Sequence, residues 1–311
     1  MSRIRHWYWI FRQIIITVSI LTMKSTAQIP IRLLTHNIRY ATSSPFTGEK
    51  PWADRKQLMI NELYFNTLHN PESFICLQEV LHQQLLDVMG GLDKLSPGEW
   101  GYIGVGRDDG KQAGEYSPVL FRTSVWKLEK FQTVWLSQTP DKPGKGWDAA
   151  SVRILTVGVF QHKQSKRSIV AMSTHLDDQG EKSRQESAKL ILETISKTVA
   201  GGGKHSEPLP VFLAGDLNSE RSGSAYKILT GSDSPLDDTK SLAPVKYGDS
   251  NTFTGFDTKT RPTEIDHLFV GPKTPKLWEV KTYGVLENKF EDGVYNSDHR
   301  AVVADVMLVG T

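Results

Sequence analysis

Eight side chains in this sequence have the types that a divalent cation and an anionic substrate would need. They are Asn37, Glu79, His175, Asp216, Asn218, Asp266, Asp298 and His299. Each lies at the end of a short apolar run. Asn37 follows Ile31–Thr35, and Glu79 closes Ser73–Gln78. His175 closes Ser168–Thr174, and Asp216 with Asn218 follows Val211–Ala214. Asp266 lies just inside Ile265–Val270, and Asp298-His299 precedes Ala301–Leu308. Two amides, four carboxylates and two histidines without cysteine make an oxygen-rich set, which suits Mg²⁺ or Mn²⁺. The histidines lack the close spacing of a zinc helix motif. A histidine beside a carboxylate can serve as acid or base near neutral pH. Asp266 sits in an apolar strand, where a lone carboxylate costs several kcal/mol unless it is paired, and His299 is its natural partner. Singly these signals are weak: Asp-x-Asn occurs in many loops, and a Gln-Glu at a strand end is usually a solvated turn.

The apolar runs that must position these groups are short, β-branched and bounded by polar turns. Val119–Arg122, Val125–Val134, Ile154–Gln161 and Trp278–Val285 read as further strands. Helical spacing appears at Ala53–Thr67, Val80–Met89 and Ser183–Val199, where Ala188, Ile191, Leu192 and Ile195 share one face. Helices and strands intermix, with strands in excess, which fits a mixed-sheet α/β sandwich better than a doubly wound parallel sheet. Strand ends on one rim of such a scaffold converge, so distant side chains can share a pocket. The stretch Ala200 to Pro210, with three consecutive glycines, reads as a loop, and Gln138 to Gly146 as a second one.

Composition sets outer bounds. The chain has 311 residues, within the range of one large sheet-based domain. Lys+Arg 37 against Asp+Glu 35 gives a net charge of +2 and no basic stripe, so composition neither requires nor excludes a nucleic-acid substrate. The one cysteine, Cys76, lies in Phe74-Ile75-Cys76-Leu77 and reads as a small core residue; an internal disulfide and a thiolate zinc cluster are both excluded. Arg3 and Arg5, the apolar Ile14–Met23 and the small residues Ser25-Thr26-Ala27 read as a signal peptide over 1–27, with an uncleaved signal anchor as the alternative. The expectation is a secreted or secretory-lumen protein whose remaining 28–311 form a single domain.

Taken in order, Thr-His-Asn-Ile-Arg-Tyr, Leu-Gln-Glu-Val, Ser-Thr-His-Leu-Asp, Leu-Ala-Gly-Asp-Leu-Asn, Glu-Ile-Asp-His-Leu-Phe-Val and Ser-Asp-His-Arg-Ala-Val resemble the endonuclease/exonuclease/phosphatase family from about Leu33 to Val303. The resemblance implies a four-layer α/β sandwich, two packed mixed β-sheets with helices outside. It implies that Asn37, Glu79 and Asp298 bind or position the metal, and that Asp216 and Asn218 orient or deprotonate the attacking water and hold the scissile phosphate. His299, with Asp266 as its buried partner, and His175 are implied to contact phosphate oxygens. The stretch Gly106 to Pro118 resembles a segment of one subset of the family. There Tyr116 is expected to hydrogen-bond a phosphate, and Glu115 to point into the cleft. Arg39 is a candidate to bind an anionic substrate group, with a surface or structural salt bridge as the alternative, and Trp147 a candidate stacking platform for a base or sugar, with a core aromatic as the alternative. Arg184 is expected to brace the site from behind.

The function expected is a metal-dependent phosphodiesterase or phosphatase acting on a small, lipid or glycan phosphoester. A DNA or RNA nuclease with the same metal site is the alternative. The basic loops of the family's abasic-site nucleases have no evident counterpart here. A silent binding protein on this scaffold is disfavoured by the intact set of polar residues. No stable protein partner is indicated, and a monomer is expected.

Overall fold

Successive side chains of a strand point to opposite faces, and most strands of this chain bury both. The computed structural model describes residues 28–201, 208–257 and 259–310. The expected signal segment 1–27 and part of the expected loop after Ala200 lie outside these. The elements run β1 (Ile29–Asn37), α1 (Trp52–Thr67), β2 (Phe74–Gln78), α2 (His82–Leu95), β3 (Trp100–Ile103), β4 (Val119–Arg122), β5 (Trp126–Trp135) and β6 (Ile154–His162). They continue as β7 (Ser168–His175), α3 (Glu181–Gly201), β8 (Val211–Asp216), α4 (Ser224–Thr230), β9 (Asp237–Asp238), α5 (Thr239–Leu242), β10 (Val245–Gly248), β11 (Asp266–Gly271), β12 (Trp278–Val285) and β13 (Val302–Leu308).

The strands form two mixed sheets, in the orders β10-β12-β13-β1-β2-β4-β3 and β5-β6-β7-β8-β11-β9. Between the sheets lie Leu33, Phe74, Cys76 and Val302 from the first, and Phe160, Ala171, Phe212 and Leu268 from the second. The alternate residues Leu34, Ile75 and Leu77 face outward onto Met59 and Leu63 of α1 and onto Leu85 and Val88 of α2. Val170, Met172 and Leu213 face outward onto Ala188, Ile191 and Ile195 of α3 and onto Ala225 and Leu229 of α4. The result is the four-layer sandwich expected, and strands buried on both faces explain why the sequence shows apolar runs instead of strict alternation.

Two differences from the expected elements have physical causes. Helix α2 continues through Gly90-Gly91 to Leu95. A Cβ on Gly91 would lie 2.4 Å from Cδ1 of Ile60, so that glycine serves close packing of α2 on α1 and does not end the helix. Strand β10 was not anticipated, because all four of its residues are exposed and it carries no burial pattern. Among the described residues no helix is long and apolar enough to cross a membrane.

Register places the chemistry. Parallel pairing of β1 with β2 sets Asn37 beside Gln78. Parallel pairing of β7 with β8 sets His175 beside Asp216, and antiparallel pairing of β8 with β11 sets Asp216 beside Asp266. Beneath this rim the amide of buried Gln78 donates to Oγ1 of Thr35 at 3.1 Å and to Oγ of Ser173 at 3.4 Å, joining the two sheets. At the opposite end of β1, Ile29 pairs with Leu308 of β13.

Candidate active site

Asp216 is the hub. It ends β8, is almost wholly buried, and its Oδ2 accepts from Nδ2 of Asn37 at 3.0 Å. The same Oδ2 lies 3.5 Å from Nε2 of His175 and 3.7 Å from Nε2 of His299, while Oδ1 accepts from the backbone N–H of Asn218 at 2.8 Å. Gly215 makes the approach possible: a Cβ there would stand 2.0 Å from the carbonyl oxygen of Thr174, so a side chain would force β7 and β8 apart. Burial, with Asp266 adjacent, pushes the Asp216 carboxyl up to about 7.

His299 and Asp266 form the buried pair that the sequence pointed to, with Nδ1 of His299 2.8 Å from Oδ2 of Asp266. Burial works against charge on this ring, but Asp266, Asp216 and Asp298 outweigh it and push its pKa up to about 10. His299 is therefore a cation at neutral pH, with Nδ1 donating to Asp266. His175 is the opposite case. Burial first, then Arg153, Arg107 and His299, hold it well below the usual imidazole range, so it is neutral. The amide nitrogen of Asn218 contacts both the Leu176 carbonyl and Nε2 of His175 at 3.0 Å. A carbonyl can only accept, so the amide donates to both, and the proton of neutral His175 resides on Nδ1. That Nδ1 lies 3.8 Å from Oε2 of Glu115. Here the partner of His175 is Asn218.

The first sheet supplies the other half. Glu79 follows β2 and accepts from Nδ2 of Asn37 at 3.0 Å and from the N–H of Tyr40 at 3.1 Å. Asn37 thus spans Glu79 and Asp216, and its own oxygen accepts from the N–H of Arg39. Asp298 is buried, and burial together with Glu79 raises its pKa above the ordinary carboxylate value. The loop carrying it is laced down: Oγ of Ser297 donates to the Asn37 carbonyl at 2.6 Å, and Nε2 of His36 lies 3.0 Å from the His299 carbonyl. Arg39, Glu79, Trp147 and Asn218 all have positive φ, at 56°, 60°, 50° and 46°. Such backbone is uncommon for non-glycine residues and concentrates at functional sites.

Two of the expected substrate contacts have protein partners in the structure. Arg39 is 6% exposed and forked onto Glu49 at 3.2 and 3.4 Å, with Nη1 3.8 Å from Oε2 of Glu79. Tyr116 is 3% exposed, and its hydroxyl donates to the Lys111 carbonyl at 2.8 Å and lies 3.0 Å from Nδ1 of His82. It packs among the outer-face apolar residues of the first sheet. Glu115 faces His175 and is held by Nη1 of Arg107 at 2.7 Å; burial and the nearby Glu79 push its carboxyl up to about 7. Trp147 is half-buried, on the loop before Arg153. Arg184 donates to the Asp177 carbonyl at 2.8 Å, behind the strand end that carries His175.

Sequence reasoning passed over two residues. Arg55, fully buried, donates to the carbonyls of Ile38, Lys50 and Asn296 at 2.8 to 2.9 Å and to that of Arg39 at 3.2 Å. It staples the loop after β1 to the loop carrying Asp298. Asp177 accepts from the N–H groups of Ala150, Ser151, Gln179 and Gly180 and from Nε of Arg153. Burial opposes its charge, but these donors bring its carboxyl down to about 2. Its motif position beside His175 was a usable signal; the carbonyl partners of Arg55 leave none.

The donor set fits a divalent cation. Oxygens of Asp216 and Asp266 and a ring nitrogen of His299 lie within 4.8 Å of one another and could hold a metal ion. Oδ1 of Asp266 is buried without a partner, and repulsion among the carboxylates contributes to the raised pKa values of Asp216, Asp298 and Glu115. A cation would relieve that repulsion.

No family model matches the chain, and no curated protein matches it. Solved structures do. An endonuclease/exonuclease/phosphatase family protein from Bacteroides thetaiotaomicron is 30% identical, with a TM-score of 0.78 over 91% of this chain and 99% of that one. An endonuclease/exonuclease/phosphatase from Bacteroides vulgatus is 31% identical, with a TM-score of 0.77 over 90% and 99%. A mannosyl-6-phosphatase from Bacteroides thetaiotaomicron is 31% identical, with a TM-score of 0.76 over 89% and 99%.

Proposed function

The chain belongs to the endonuclease/exonuclease/phosphatase family and is a phosphoester hydrolase, and from that premise we propose that its substrate is a small or glycan-borne phosphoester cleaved with Mg²⁺ or Mn²⁺. One observation carries the choice of substrate. The guanidinium groups around the site are already paired: Arg39 with Glu49, Arg107 with Glu115, and Arg153 with Asp177 and Asp178. A nucleic-acid backbone is bound through unpaired cations tracking successive phosphates. A paired rim suits a substrate with one phosphoryl group and a neutral, hydroxylated remainder. The mannosyl-6-phosphatase among the similar structures supports the same reading.

The ion is assigned to Glu79 and Asp298, with Asn37 alongside. The alternative cluster of Asp216, Asp266 and His299 is less suited, because His299 is held as a cation by Asp266 and its ring has no nitrogen lone pair to offer. When bound, a divalent cation supplies positive charge against the phosphate and leaving oxygens. Asp216 receives the proton of the attacking water, held in place by Asn37 and by the N–H of Asn218. Protonated His299 presents its Nε2–H to a phosphate oxygen while Asp266 fixes the ring. Asn218, oriented by His175 and the Leu176 carbonyl, holds the phosphoryl group. Glu115 and Trp147 border the space for the leaving group. The basic, apolar N-terminal segment supports export or anchoring, so the substrate is proposed to lie outside the cytoplasm.

The test is hydrolysis of mannose 6-phosphate, p-nitrophenyl phosphate, bis-p-nitrophenyl phosphate and a single-stranded oligonucleotide, each with Mg²⁺, Mn²⁺ or EDTA. Metal-dependent release from the small esters with the oligonucleotide intact is the expected result. EDTA-sensitive cleavage of the oligonucleotide would replace this reading with the nuclease one.

A further inference from the structure

The most heavily built feature beside the carboxylate cluster is Arg39, which the mechanism does not use. Its backbone turns left-handed two residues after Asn37, folding the side chain back over the Glu79 flank. The guanidinium lies 4.1 Å from the Tyr40 ring centroid and 4.5 Å from that of Phe46. Glu49 holds it through two nitrogens, and Glu49 is itself fixed by the N–H of Phe46 at 2.9 Å and by Arg55 at 3.9 Å. The remaining nitrogen, Nη1, faces Oε2 of Glu79 at 3.8 Å. Burial opposes this charge, yet Glu49, Glu79 and Asp298 more than offset it, so the group stays a cation.

We infer that Arg39 is a fixed counter-charge of the Glu79–Asp298 flank, keeping it assembled without an ion and lowering the centre's affinity for divalent cations. The inference rests on the metal-dependent reading above. The geometry separates this role from a brace. Glu79 is already held by Asn37 at 3.0 Å and by the Tyr40 N–H at 3.1 Å, so it does not depend on the 3.8 Å contact for its position. What Arg39 adds at that range is charge. A cation competing for the same carboxylates is repelled by it, and the effect is larger in a half-dry site than in water.

Mn²⁺ binding measured by electron paramagnetic resonance at low salt, with the melting temperature of each protein with and without Mn²⁺, tests it. Arg39→Met is expected to bind Mn²⁺ on the order of tenfold more tightly than wild type. It is also expected to lose stability without the ion and to gain more from Mn²⁺ than wild type does. Arg39→Lys, which keeps the charge, should restore wild-type affinity. Arg39→Gln, which keeps an amide donor to Glu49 but loses the charge, should also bind more tightly; it carries the test if Arg39→Met does not fold. Equal or weaker Mn²⁺ binding in the folded charge-removed variants, with wild type binding normally, would overturn the inference, because losing a purely structural arginine can only weaken the site. Failure of the wild type itself to bind Mn²⁺ would overturn the metal-dependent reading and this inference with it.

Discussion

The two sheets contribute to the site in different ways. The second sheet offers a row: His175, Asp216 and Asp266 sit side by side on three paired strands, their spacing fixed by register. The first sheet offers loops: Glu79, Arg39 and Asp298 lie beyond strand ends, two of them on left-handed backbone, and are held by Asn37, Ser297 and Arg55. Backbone pairing gives position as part of folding, whereas a loop needs added donors to hold a side chain within the tolerance that catalysis demands. The half proposed to activate water is thus held by construction, and the half proposed to hold the ion is held by stapling.

Removing the hub that joins the halves should have the largest effect. Asp216→Ala and His299→Ala are expected to lower kcat/KM by about 10²–10³-fold or more, with circular dichroism and melting temperature showing folded protein. Unchanged turnover in either would sink the proposed mechanism. Arg55→Met attacks only the stapled half. Leaving four carbonyls without their donor should cost about 3 kcal/mol or more in urea unfolding and weaken Mn²⁺ binding. Gly215→Ala attacks only the row. Its Cβ would meet the Thr174 carbonyl, so a loss of about 2–3 kcal/mol is expected, with His175 and Asp216 displaced. Stability equal to wild type would show that β7 and β8 can part without cost.

The smallest expected effect concerns acid. The Asp177 carboxyl is held down to about 2 in the folded protein. Its contribution is present above the ordinary carboxylate pKa and is lost as pH falls from there through about 2, amounting to about 2 kcal/mol. Chemical denaturation from pH 5 to 2 should show that loss in wild type, and Asp177→Asn should flatten it. An equal acid slope in both would mean that Asp177 is not the group responsible.

How much of this was legible follows the same division. Asn37, Asp216, Asp266 and His299 could be placed because each lies at or beside the end of an apolar run, and strand ends on one rim converge. For Arg39 the sequence offers a substrate contact or a salt bridge without naming the partner, because Glu49 is reached only through a loop closure that no periodicity reports. The hydroxyl partners of Tyr116 were not legible, because its motif gives an address on the rim but not a side-chain direction. Arg55 was invisible as a staple, since its partners are backbone carbonyls that every residue carries.

The pairing of Ile29 with Leu308 has a practical consequence. Both ends of the described chain emerge at the pole opposite Asn37, with the nine residues of β1 between them and the rim, about 30 Å of extended strand. A leash attached at either end, whether to a bead, a fusion partner or a bilayer, would leave the mouth of the enzyme facing outward.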